Sequence, residues 1–233
     1  WGTSCSVTAA SLAPTPCLAH GAQPWAWLQF SQSGQPKDYA LPNASWSQGM
    51  LNLYNEFVEK SKDGTWKRIP SYRLMLPLLT PEHPCPFTHP DLMKLEGEKM
   101  SKDTRLFLRS LDEEGLGFEY VMFLNPSEKR MVTVYQPGPY LEGHPGFAHG
   151  GSTAAIIDST IGGCAIFVAG RVMTANLSID FKNPIPLGSV VLVDGKVNRM
   201  EGRKVFLSCQ VWSADGQTLH AEATALFIHK PVG

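Results

Sequence analysis

Several common catalytic signatures are missing from this 233-residue chain. It holds no phosphate-binding loop, no G-x-G-x-x-G turn, no G-x-S-x-G elbow and no H-E-x-x-H pair. Those absences argue against nucleotide hydrolysis, dinucleotide redox chemistry, serine hydrolysis and zinc peptidase chemistry. The five cysteines (Cys5, Cys17, Cys85, Cys164, Cys209) are scattered, with no C-x-x-C pair and no Cys/His metal spacing. They read as free thiols in a reducing compartment, and no metal is expected. Excess charge is lacking too: the net charge is −1, so no nucleic-acid partner is expected. Residues 1–36 contain no Asp, Glu, Lys or Arg and are rich in Ser, Thr, Ala and Pro. That composition supplies half of a mitochondrial transit signature, without the Arg-rich half, and fits a leader without structure equally well. Asn43-Ala44-Ser45 matches the glycosylation pattern with no other secretory sign and is read as chance.

Periodicity divides the rest. Residues 1–45 are broken by Pro14, Pro16, Pro24, Pro36 and Pro42 and read as a disordered or targeting-like leader. Residues 46–115 read as a helical and irregular extension. Within Ser45–Lys62, Met50, Leu53, Tyr54, Phe57 and Val58 share one helical face, and Asp63-Gly64 ends it. Prolines at 77, 81, 84, 86 and 90 forbid a regular element in 72–90, and 101–114 could form a short helix or loop. From residue 116 the texture turns to β. Strands are expected at 118–124, 131–135, 172–182, 190–200, 205–212 and 218–229, the last three joined by tight turns as an antiparallel meander. The fold class is therefore α+β, with residues 116–230 as one domain: an antiparallel six-stranded sheet wrapped around one long helix.

That helix follows His149-Gly150-Gly151 and runs to about Ala169. Between Glu142 and Arg171 its sole formal charge is Asp158. A helix apolar on nearly all faces is a buried helix. The run 154–170 has the length of a short membrane span, but Asp158, Ser159, Thr160 and the Gly162-Gly163 pair argue for a core helix. A buried carboxylate is costly unless paired or given a task, so Asp158 is expected to be buried and chemical: general base for a water, or nucleophile. A buried Asp tied to an arginine or to backbone is the competing reading. Gly150 and Gly151 sit where the helix begins, and free amides there would polarise a carbonyl. A bare Gly-Gly also serves a tight turn, and His149 also serves as a cap. Thr174 opens the next strand and could hold a water in line with Asp158. Asp158 lies seven residues beyond Gly151, about 10 Å along one rigid helix, which favours a site composed from two subunits.

The stretch Gly146-Phe147-Ala148-His149-Gly150-Gly151, with Asp158 nine residues after the histidine, resembles the motif of hotdog-fold acyl-coenzyme A thioesterases. Asn125–Tyr140 (NPSEKRMVTVYQPGPY) and Arg171–Pro186 (RVMTANLSIDFKNPIP) are similar to its mitochondrial branch, thioesterase superfamily members four and five, with member four favoured. The resemblance implies a hotdog domain and hydrolysis of medium- and long-chain fatty acyl-CoA without a cofactor. It implies a homodimer, or a dimer of dimers, with the site at the subunit interface. His149 and the Gly150 and Gly151 amides would meet the thioester carbonyl, and Asp158 would be nucleophile or base. Thr174 would come from the neighbouring subunit. Asp180, Lys182, Arg203 and Lys204 would contact the coenzyme A part, and the acyl chain would run beside Ile156 and Ile157. It also implies a mitochondrial address (matrix or inner-membrane-associated) with the cytoplasm as a second one, peripheral membrane contact, and a role in apoptosis through a protein kinase partner. A non-catalytic hotdog protein binding acyl-CoA or a kinase is the alternative, and a hydratase fits the His-Gly-Gly start poorly.

Overall fold

The computed structural model describes residues 38–71, 108 and 113–230. Most of the leader, the proline-rich stretch 72–90, most of the segment 101–114, Cys5, Cys17 and Cys85 lie outside the described residues. Helix α1 (Gln48–Lys60) is capped by Ser47, whose side chain accepts from the Met50 amide, and buries Met50, Leu53 and Phe57. Short strand β1 (Lys67–Ile69) follows, then β2 (Phe118–Asn125) and β3 (Arg130–Pro137). Helix α2 (Gly150–Ala169) leads to β4 (Val172–Phe181), β5 (Val191–Glu201), β6 (Lys204–Ser213) and β7 (Leu219–His229). The seven strands form one antiparallel sheet in the order β1-β2-β3-β5-β6-β7-β4. The six expected strands are present within a residue or two of their expected ends. The seventh, β1, was not expected: a three-residue run shows no period, and its pairing to β2 is set across a long stretch of chain.

Helix α2 is the core element, with Ile156, Ile157, Ile161, Cys164 and Phe167 packed on one face of the sheet. Its length and apolar character would suit a membrane, but most of it is buried inside the protein, its apolar surface covered by sheet. Glycine lets the two layers meet: a Cβ on Gly195 of β5 would stand 2.6 Å from Ile161 Cγ2. Thr133 and Thr160 hydrogen-bond at 2.7 Å in the buried seam. Burial pushes the Cys164 thiol up to about 12, so it stays protonated at neutral pH.

The opposite face of β2 and β3 is covered by α1 through Val121, Phe123, Val132 and Val134. Both strands are thus buried on two sides, which is why they read as continuous apolar runs rather than alternating ones. One carboxylate lies inside this packing. Glu119 of β2 accepts from Trp46 Nε1 at 2.8 Å, Asn43 Nδ2 at 3.2 Å and the Gly115 amide at 2.9 Å. Its cross-strand neighbour Gln136 accepts from the Ser47 amide and donates to the Ser45 carbonyl. Asn43 also accepts from the Ser45 amide and hydroxyl, so it has a structural task in this turn.

Candidate active site

The approach to α2 is a strap of backbone hydrogen bonds. The Ala148 amide donates to the Ile185 carbonyl at 2.9 Å, the His149 amide to the Leu141 carbonyl at 2.7 Å, and Glu142 Oε1 accepts from the Gly146 amide at 2.7 Å. They deliver His149 as the N-cap of α2, with extended backbone. Its Nδ1 accepts the Gly151 N–H at 2.8 Å. A neutral ring whose Nδ1 accepts must carry its proton on Nε2. His149 therefore caps the helix and presents a donor at once, merging two roles that the sequence offered as alternatives. The same bond corrects the expectation that both glycine amides face a substrate: the Gly151 N–H donates to the cap, and among the described residues the Gly150 N–H has no acceptor. A cleft of about 630 Å³ opens here, lined by Glu142, His144, Phe147, His149, Gly150 and Pro184 among others.

Asp158 lies two turns along α2. The expectation of a fully buried carboxylate is corrected: within one protomer it is half-buried, on the helix flank it shares with Ala154, Ala155 and Ser159. Thr174 Oγ1 donates to Asp158 Oδ1 at 3.0 Å. Both residues belong to the same chain, so Thr174 shares a subunit with the Asp158 it bonds. The contact depends on a β-bulge. In the β4–β7 ladder Thr174 stands opposite Phe227 and Asn176 opposite Leu226, leaving Ala175 as an extra residue. Leu177, Ile179 and Phe181 take the helix side by strict alternation, which would turn Thr174 to the other face. The bulge turns it back onto α2.

The four residues expected to contact coenzyme A do not meet in one protomer. Asp180 and Lys182 lie at the end of β4 nearest Gly150, where Phe181 packs against that glycine. Lys182 Nζ stands 3.8 Å from Asp180 and 3.6 Å from Glu222. Arg203 and Lys204 occupy the β5–β6 turn, beside His229 and the start of β4, about 30 Å away at the rise of an extended strand. Ile156 and Ile157 are fully buried, so no water-sized channel runs beside either within the protomer. Among the described residues no cluster of His, Cys, Asp and Glu is arranged to hold a metal.

An antiparallel sheet wrapped on one helix that opens with His-Gly-Gly is the hotdog fold, and the thioesterase superfamily family model matches residues 145–220. The chain is 52% identical over 200 residues to acyl-coenzyme A thioesterase THEM4 of Xenopus laevis, covering 86% of this chain and 84% of that protein. To THEM4 of Rattus norvegicus it is 49% identical over 225 residues, covering 97% and 95%. To acyl-coenzyme A thioesterase THEM5 of Mus musculus it is 45% identical over 192 residues, covering 82% and 75%. The chain belongs to this THEM4/THEM5 family of hotdog-fold acyl-coenzyme A thioesterases.

Proposed function

We propose that the protein hydrolyses medium- and long-chain fatty acyl-CoA thioesters, with Asp158 as general base. The observation that carries this reading is the Thr174–Asp158 hydrogen bond, made where a β-bulge turns Thr174 onto α2. Thr174 occupies Oδ1 and leaves Oδ2 to accept a proton from water. The water oxygen bonds to the thioester carbon, and its proton passes to Asp158. The carbonyl oxygen takes up the electron pair as an oxyanion, facing the Gly150 N–H and His149 Nε2–H. Collapse expels the coenzyme A sulfur, which recovers the proton from Asp158, giving fatty acid and free thiol.

Asp158 and the donor turn are two helical turns apart on one rigid element, so both serve one carbon only if a second copy supplies one of them. β4 supports a homodimer: it is an edge strand and exposes Met173 and Phe181 at 53% and 57%. The half-buried flank of α2 carrying Asp158 would be covered in that pair.

The test is release of thiol from hexadecanoyl-CoA, followed with a colorimetric thiol reagent. Thr174→Val keeps the shape and deletes the donor. A hydrogen bond to a charged group is worth about 1.5–3 kcal/mol, so kcat should fall about 10- to 100-fold. A wild-type chain that releases no thiol overturns the proposal.

A further inference from the structure

The donor turn at the start of α2 has a support that neither the family motif nor the sequence pattern singles out. Trans peptide geometry places the His149 carbonyl and the Gly150 N–H in one rigid plane, pointing in opposite directions. Whatever fixes that carbonyl therefore aims that N–H. Three groups converge on it: the Ser152 amide at 2.9 Å, the Thr153 amide at 3.2 Å and the Ser152 hydroxyl at 2.7 Å. The two amides are ordinary first-turn helix bonds. The hydroxyl is an addition, and Ser152 is itself buried, at 8% exposure.

Behind Ser152 stands Tyr135 of β3, a fully buried side chain whose hydroxyl has no hydrogen-bond partner among the described residues. An unmatched hydroxyl in the core is destabilising, and phenylalanine would fill the same space without it. Burial drives the Tyr135 ionisation far above the usual tyrosine range. The hydrogen bond that reaches the His149 carbonyl is therefore the one from Ser152.

We infer that Ser152 is a positioning residue that locks the His149–Gly150 peptide plane so that the Gly150 N–H meets the developing oxyanion. Its hydroxyl is spent on the His149 carbonyl and does not touch substrate. Its effect belongs to the transition state, where charge gathers on that oxygen, and so to kcat rather than KM. The inference rests on the thioesterase reading above, and its test separates the two.

The experiment compares hexadecanoyl-CoA hydrolysis by the full-length wild type, Ser152→Ala, Ser152→Thr, Tyr135→Phe and Asp158→Asn. Ser152→Ala should lower kcat about tenfold with KM within about twofold, and Ser152→Thr, which keeps the hydroxyl, should recover most of the loss. Tyr135→Phe removes an unmatched hydroxyl behind Ser152 and should leave kcat within about twofold while its melting temperature holds or rises. A wild-type kcat in Ser152→Ala, a threonine variant as slow as alanine, or a rise in KM in place of the fall in kcat overturns the inference. An inactive Asp158→Asn beside a full-rate Ser152→Ala removes the inference alone. A full-rate Asp158→Asn removes both it and the thioesterase mechanism.

Discussion

Asp158→Asn is expected to leave a folded protein whose kcat for thiol release is lower by about 10²–10⁴-fold, the range that a positioned general base contributes. The substitution is nearly isosteric, and the amide oxygen can still accept from Thr174. Because Asp158 is half-buried on a helix flank and makes no ion pair among the described residues, its charge holds no part of the described core together. The melting temperature should therefore stay close to that of the wild type. What disappears is the second carboxylate oxygen as a proton acceptor. Thiol release within tenfold of wild type would mean that the water is activated elsewhere.

The second large effect concerns stability. A Cβ added at Gly138 would stand 2.3 Å from the Gly115 carbonyl oxygen, 2.4 Å from the Leu116 carbonyl carbon and 2.6 Å from the Leu116 oxygen. These are backbone atoms and cannot swing aside. They are also pinned: the Gly115 amide donates to Glu119, the Gly138 amide to the Gly117 carbonyl at 2.8 Å, and the Tyr140 amide to the Leu116 carbonyl at 2.8 Å. Gly138→Ala should therefore cost about 3 kcal/mol, at the upper end for overpacking, which lowers the melting temperature by about 6–12 °C in a domain of this size. A urea or thermal transition coincident with wild type would show that the segment before β2 has room to retreat.

Helix α1 and strands β4 to β7 were legible because each carries its own period over eight or more residues, β2, β3 and α2 because they are unbroken apolar runs, and the His149–Gly151 start because glycine and histidine punctuate the longest of those runs. What stayed hidden depends on pairing. Nothing in Met173-Thr174-Ala175-Asn176 announces that Ala175 is the extra residue, so the face Thr174 takes could not be read from alternation. Nor does a lone histidine before two glycines reveal that its ring takes one of their amides. The reading of Asp158 as buried followed from an apolar flank all around it. In the structure part of that flank stays open: Ala154, Ala155, Asp158 and Ser159 are only half-buried, and small side chains look the same in sequence whether or not a neighbour covers them. Nothing in the strand sequence announces that Glu119 holds three donors in the packing against α1.

That carboxylate also sets the limits of what can be cut away. A chain shortened past Ser47 would leave Glu119 in an apolar seam with two of its three donors gone, and Gln136 with neither Ser45 nor Ser47. The turn from Asn43 to Ser47 is thus no detachable appendage, and its removal is expected to lower the melting temperature of the sheet.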